Sequence, residues 1–471
     1  MLQSKLISLL KTFTKKEIKE FGSFVRSEFF NKNKQLVDFS DYVCKFYPDF
    51  NTSELEKEET YVKLFPNLKY DEPKMRYMMS DLTLLLEEYI SINYFMEDEF
   101  YKKFFLLKSF KDRKLDKFFN QNLEDINVSN QKKTYRDSEF YFNQYLIEET
   151  SYEFTSERRN RSFDISLQEV VDNLEFNYLA KSLKYYCEMV NRSNILSVKY
   201  NLNFFDELIQ YLLKGDFNDK PAIKIYLSIY QTLSGADNQD VYFELLEQLQ
   251  HYSQLFKQKE QRDMFVFAQN YCIKRINGGY DGAIEQMFDL YQMMVEKNLI
   301  YEGRYVSQPD FKNIITVGLR LNKIEWVEKF IADFKDDLNP DFSENATSYS
   351  QAWIHFSKKE YDKARRMLLK VEFNDVYYHL DSKSLLLKVY YEMNEFDSFF
   401  SLVDAFRIYL KRNKFISETQ RNTYQNFVNM ANKLMKLKSR GQKFTPDLIE
   451  EINNTKPMAD LIWLKMKITE H

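Results

Sequence analysis

The side chains able to do chemistry are few and scattered. His251, His355, His379 and His471 are the only histidines; none stands four residues from another, and there is no His-Glu-x-x-His. A helix offers two imidazoles to one metal ion only when they share a face, so this set provides no paired ligand site. Cys44, Cys187 and Cys272 lie far apart, with no Cys-x-x-Cys. A nucleophilic thiol here would need a base brought from elsewhere in the chain. Three isolated cysteines also fit a reducing compartment better than a disulfide framework. Glu87-Glu88, Glu148-Glu149 and Glu450-Glu451 are paired carboxylates, but helix neighbours point about 100° apart and do not converge on one substrate. Gly278-Gly279-Tyr280-Asp281-Gly282 is the one glycine cluster. A phosphate cradle needs a strand before it, and none is readable there, so the cluster reads as a turn. We expect no cofactor and no metal, and an enzymatic role would require a site assembled from residues distant in sequence.

One charge feature stands out. Between residues 407 and 443 lie Arg407, Lys411, Arg412, Lys414, Arg421, Lys433, Lys436, Lys438, Arg440 and Lys443, against Glu418 alone. That is a local charge of +9 in a chain whose net charge is −4. Tyr409, Phe415, Tyr424 and Phe427 are interleaved. Such a run could grip phosphates or an acidic protein. The plainer reading, and the one we favour, is the solvated face of helices whose Phe427, Leu434 and Leu437 turn inward. The segment 156–162 (SERRNRS) and the smaller basic excess at 102–117 read as solvated surface.

The elements that must position these residues are helices. Only 9 Gly and 8 Pro occur in 471 residues, too few for the tight turns of a sheet-rich fold or for glycine-rich nucleotide loops. Thr14-Lys15-Lys16-Glu17 and Ser53-Glu54-Leu55-Glu56 have the form of capping boxes, in which a hydroxyl and a carboxylate satisfy free N–H groups at a helix start. Ile18, Phe21 and Val25 form an apolar stripe, and 75–95 reads as one long apolar-faced helix. The expected architecture is all-α: a helical bundle over 1–96, a long-helix linker region over 97–200, and an array of helix pairs over 201–471. No 18-residue apolar run is present and the first residues do not read as a secretory signal, so a cytoplasmic protein without a membrane span is expected.

Four places share a bulky apolar residue followed by an acid directly after a polar turn: Tyr280-Asp281, Ile324-Glu325, Tyr361-Asp362 and Phe396-Asp397. Their spacings are 44, 37 and 35 residues. A period of that size predicts helix-pair repeats stacking into an α-solenoid, since neither helix of a pair can bury its apolar face alone.

Over roughly residues 270–415 the chain resembles the tetratricopeptide repeat family, whose paired helices are joined by a Gly-Asp-Tyr-Asp-x-Ala turn. Here Lys359-Glu360-Tyr361-Asp362-Lys363-Ala364 matches it, with Lys359 and Glu360 in place of Gly-Asp. Tyr280-Asp281-Gly282-Ala283 matches in part, Val327 and Phe399 take the alanine position in the other two, and Ala352, Ile315 and Leu387 fall at the small position of the first helices. The resemblance implies that first-helix residues line a groove: Lys312, Thr316 and Arg320, then Tyr349, Trp353 and Phe356, then Ser384, Lys388 and Tyr391. It does not reproduce the Lys/Asn clamp that some members use for C-terminal carboxylates. Residues 13–36 and 78–89 also resemble an uncharacterised family of helical proteins from Bacteroidetes, which implies no activity.

The leading expectation is a non-enzymatic scaffold that binds a protein or peptide on a concave surface, with Trp353 as a candidate anchor. A nucleic-acid-linked regulator using residues 407–443 is the alternative. An enzyme with an all-helical site is the third.

Overall fold

Helix starts obey the capping chemistry written into the N-terminal residues. In a computed structural model of the chain, Thr14 Oγ1 accepts from Glu17 N at 3.3 Å and Glu17 Oε2 accepts from Thr14 N at 2.6 Å. The second box does not form. Thr52, not Ser53, accepts from Glu54 N, because Glu56 is extended and the next helix begins only at Lys57. The structure describes residues 1–157, 164–196, 199–234, 239–278, 280–371, 376–414, 416, 418–444, 446–455 and 457–470. Most of the 156–162 run, Gly279, Phe415 and His471 lie outside the described residues. Among those residues the chain is all-α, with twenty-three α-helices and one hairpin of two-residue strands. None of these helices is long and apolar enough to cross a membrane.

The chain divides into two compact units, 1–133 with 138–178 and 134–137 with 179–471. In the first, α1 (Lys5–Leu10), α2 (Lys15–Val25), α3 (Lys34–Cys44) and α4 (Lys57–Leu64) all pack on α5 (Glu72–Glu97). Met75, Met78, Leu82, Leu85, Leu86 and Tyr89 form the buried stripe of α5, at the spacing that keeps one helical face apolar. At Asp98 a helix junction follows: its Oδ1 accepts from Phe100 N and Tyr101 N, both at 3.0 Å. Then come α6 (Glu99–Asp112), α7 (Asp116–Gln131), α8 (Ser138–Glu157) and the start of α9 (Ile165–Leu196). Their core centres on Phe119 and Phe154, stacked with centroids 3.7 Å apart.

The second unit takes the rest of α9, then α10 (Phe205–Lys214), α11 (Pro221–Ser234), α12 (Gln239–Tyr252), α13 (Gln258–Gly278) and α14 (Ala283–Glu296). The hairpin of β1 (Tyr301–Glu302) and β2 (Tyr305–Val306) turns at Gly303, whose φ of 64° suits glycine. Beyond it run α15 (Gln308–Arg320), α16 (Ile324–Phe334), α17 (Pro340–Ser357), α18 (Tyr361–Leu368), α19 (Val376–Met393), α20 (Phe396–Arg412), α21 (Glu418–Ser439), α22 (Pro446–Asn454) and α23 (Leu461–Thr469). From α13 to α21 each helix packs on the next. In addition α15 touches α17, α17 touches α19, and α19 touches α21.

Three of the four apolar-acid marks share one turn. Asn322, Lys359 and Asn394 are left-handed, with φ of 56°, 60° and 57°. The residue after each donates its N–H five residues back: Lys323 to Gly318 O at 2.9 Å, Glu360 to His355 O at 2.8 Å, Glu395 to Tyr390 O at 3.0 Å. This is the Schellman closure, which satisfies the last free carbonyls of the first helix. Ile324, Tyr361 and Phe396 then open the second helix, and the acid after each lies in its first turn, where the helix dipole favours negative charge. At 280 the arrangement differs. Tyr280 itself donates to Arg275 O, and α14 starts only at Ala283. The same closure also occurs at Lys114 and Asn298, outside the marked series. Ala352 and Ala364 are fully excluded from solvent. In α15 the closest approach is at Gly318 rather than Ile315: a Cβ there would meet Val327 Cγ2 at 2.6 Å.

Candidate functional site

Lys312, Thr316 and Arg320 recur every fourth residue and so share one face of α15. That face meets Tyr349 and Trp353 of α17 and Ser384 of α19 around a cleft of about 290 Å³. Six of the nine residues named as groove-facing therefore line one cavity. Its apolar side is built by Ile273 and Ile276 of α13, Met287 of α14 and Val317. Two carboxylates complete it. Asp381 stands on the face of α19 that carries Ser384, and Asp460 comes from the turn before α23.

The charges in the cleft are mostly spoken for. Lys312 Nζ lies 2.5 Å from Asp381 Oδ2, and the other oxygen of Asp381 accepts from Tyr424 OH. Lys388 is only 1% exposed, and its Nζ pairs with Asp460 Oδ1 at 2.7 Å. Burial pushes the Lys388 ammonium below the usual lysine range, while Asp460 pulls it back. The same ammonium sits 4.2 Å from the centroid of the Trp353 ring, a cation–π contact strengthened by exclusion of water. Trp353 Nε1 donates to Tyr349 OH at 2.7 Å, and burial raises the Tyr349 phenol, so it stays a neutral hydrogen-bonding group. Arg320 is exposed and has no ion-pair partner among the described residues. Ser384 is 3% exposed, and its hydroxyl has no hydrogen-bond partner among the described residues.

The other three groove-facing positions are covered by the chain itself. Phe356 packs edge-on against Trp353 and at a tilt against Tyr361. Lys388 is closed over by Asp460, and the Tyr391 ring meets Trp463 of α23 at 5.2 Å. The segment that does this is tied down along its length. Asn426 donates to Pro457 O, Ala459 N donates to Thr423 O, and Trp463 Nε1 donates to Glu392. Glu392 also pairs with the buried Lys467 at 2.8 Å. Asp381 and Asp460 were not among the residues named from the sequence. Asp381 had a signal, since it lies one turn before Ser384 on the same helix face. Asp460 had none, because its contact with Lys388 spans 72 residues.

The ten cations of 407–443 do not gather on one surface. Arg407 meets Asn429 and Arg421 meets the Leu410 carbonyl, so α20 and α21 run antiparallel. Lys411, Arg412 and Lys414 therefore lie at the opposite end of the pair from Lys436, Arg440 and Lys443, about 30 Å away for some twenty helical residues. Arg421 also donates to the carbonyls of Asn413 and Ile416, capping the end of α20. Lys433 pairs with Glu451, and Lys438 donates to Tyr391 O at 3.0 Å. Lys411, Arg412, Lys436 and Lys438 occupy last turns, where they complement the negative end of the helix dipole.

The remaining chemistry-bearing groups have structural partners. Cys187 and Cys272 are buried, donating to Tyr226 O and Tyr242 OH, and burial pushes the thiols of Cys44 and Cys272 up to about 11. His355 bonds Glu360 across its turn, and His379 stacks on Tyr409. Among the described residues, no three His, Cys, Asp or Glu gather as a metal site. A hollow of about 510 Å³ on the first unit is lined by α6 and its C-terminal Arg113 alone, so no second element converges on it.

Comparison with protein-family models, curated proteins and solved structures finds no match to this chain.

Proposed function

We propose that this chain is a non-enzymatic helical-repeat scaffold, a degenerate relative in build of the tetratricopeptide repeats, that holds a peptide segment of a partner protein. The observation that carries this reading is the convergence of Lys312, Thr316, Arg320, Tyr349, Trp353 and Ser384 on one open cleft. Helix pairs closed by one type of turn, with first helices touching first helices, support stacking as an array. The lining offers an aromatic floor, an apolar wall and paired charges, which suits recognition of a side chain. Among the described residues its lining holds no histidine or cysteine, and its two carboxylates are each tied to a lysine, so no free base stands there to activate the hydroxyl of Ser384.

The test fills the cleft. Thr316→Trp places a large ring into it without touching an ion pair. Affinity purification from the native host with wild type and this variant should show a specific partner lost in Thr316→Trp while circular dichroism and thermal midpoint are unchanged. A partner set shared by both proteins would remove the cleft from the function.

A further inference from the structure

We infer that Arg320 is the anchoring cation of this cleft and that its occupant is a peptide segment presenting an aspartate or glutamate side chain. The inference rests on the peptide-binding reading and specifies its chemistry.

Charge balance comes first. Lys312, Arg320, Asp381 and Asp460 line one small cavity, and Lys388 lies buried behind Asp460, paired with it. Both carboxylates are consumed by lysines, so the guanidinium of Arg320 is the unneutralised charge. Arg320 lines the same cavity as Asp381 and Asp460, and its charge is felt at Lys388, whose proton affinity it helps to lower. The hydroxyl of Ser384, buried and without a partner, borders the same space. A buried hydroxyl left unsatisfied costs stability, and an incoming acceptor removes that cost. A carboxylate supplies what both groups lack: one negative charge and several acceptor lone pairs.

The chain contains its own example of such docking. Asp460, at the foot of α23, reaches the buried Lys388, and Trp463 follows three residues later onto Tyr391. Lys388 and Tyr391 belong to the face of α19 that corresponds to the Arg320 face of α15. An acid followed by a bulky apolar residue thus already satisfies one stretch of this surface. Next to Arg320 the apolar wall of Ile273, Ile276 and Val317 is open and can take the second residue of such a pair.

The charge of the anion is also constrained. Asp381 and Asp460 lie in the same cleft, so a phosphate dianion would face two carboxylates. A single carboxylate matches the single excess charge with the least repulsion.

A library of random twelve-residue peptides displayed as fusions through their C-termini tests this, because every acid selected is then a side chain and not a chain end. The full-length protein is the bait. The expected result is enrichment of Asp or Glu at one position beside an apolar residue. For the best peptide, fluorescence anisotropy should show at least a tenfold loss of affinity with Arg320→Gln. Asp→Asn in the peptide should cost as much, and the two changes together little more. Arg320→Glu should invert the selected residue to Lys or Arg. Arg320 makes no ion pair among the described residues, so both variants should keep the wild-type thermal midpoint. Peptides that bind, are lost in Thr316→Trp, and show no acidic position or no response to Arg320→Gln would overturn the inference and leave the peptide-binding reading standing. An unenriched library, or binding that survives Thr316→Trp, would overturn both.

Discussion

Each unit buries a polar cluster, and the two are neutralised by different means. In the first unit Gln144 is the hub. Its Nε2 donates to Asn127 and to Glu148 at 2.8 and 2.7 Å, and its Oε1 accepts from Asn130 and Gln131 at 3.0 and 3.2 Å. Every hydrogen-bonding direction of that amide is used. Among the described residues no lysine or arginine bonds to it or to Glu148, and burial, with Glu169 and Asp164 nearby, pushes the Glu148 carboxyl up to about 7. A proton therefore does there what lysines do in the cleft of the second unit. The difference teaches how a buried acid sets the character of its surroundings. A proton neutralises in place and lets the cluster close. A cation needs room for its stem and brings further charge, and in the cleft that leaves Arg320 over.

The largest expected effect breaks the cationic cluster. Asp460→Ala leaves Lys388 buried and unpaired, and should destabilise the second unit by about 3 kcal/mol. Lys388→Met, which removes the charge but keeps the stem, should cost less than about 1 kcal/mol. Trp326, Trp353 and Trp463 are the only tryptophans and all lie in the second unit, so urea unfolding followed by tryptophan fluorescence reads that unit alone. Equal losses for the two variants would mean that desolvation of Lys388 is not what Asp460 offsets.

The protonated cluster responds to pH. The folded carboxyl of Glu148 binds its proton more tightly than the unfolded one, so its contribution is complete below the ordinary value of 4.5 and is lost as pH rises toward about 7. The first unit should lose on the order of 2 kcal/mol across that window. Glu148→Gln, neutral at every pH, should flatten the slope, read from hydrogen exchange in α8. A slope that persists in the variant would assign the effect to another group.

The second unit carries the opposite dependence at His379. Burial, with Lys383 adding like charge, lowers this imidazole to about 4. Its contribution is present above the ordinary 6.5 and is lost as pH falls toward about 4. The ring is partly exposed, so the change should be about 1 kcal/mol. His379→Phe should abolish it in the tryptophan signal. Between pH 5 and 6.5 the two units should thus move in opposite directions, and parallel curves would sink the contrast between them.

The smallest effects concern turns and ends. Lys359 holds a left-handed conformation that glycine adopts freely, so Lys359→Gly should stabilise by up to about 1 kcal/mol in thermal melts. Neutralising Lys411, Arg412 and Lys436 together should cost roughly 0.5 kcal/mol each or less, as loss of dipole-complementing charge. It should leave any binding to single-stranded RNA at roughly 50 mM salt without the steep salt dependence of a phosphate grip. A steep dependence abolished by the substitutions would instead restore residues 407–443 as a binding surface.

Much of the local structure was legible. The helix-rich composition, the capping box at Thr14 and the stripe on α5 follow from residue types at short spacing. So do the turns before Ile324, Tyr361 and Phe396, since a helix end needs its carbonyls satisfied whatever surrounds it. The turn at 280 shows where this stops: the same residue types sit three positions before the helix start, because spacing alone does not say which residue closes the turn. The basic run was legible as composition and not as a surface, because antiparallel packing of α20 and α21 separates its halves.

What the sequence determined by itself, then, was each helix, most of its ends and which of its faces carries Lys312, Thr316, Arg320, Tyr349, Trp353 and Ser384. Those properties depend on interactions within a few residues. Only the tertiary structure decided that these faces enclose one cleft, that Asp460 returns across 72 residues to neutralise Lys388, and that Arg320 is left without a carboxylate among the described residues. Charge pairing is a matter of distance in space, and no local pattern encodes which of many acids will arrive there.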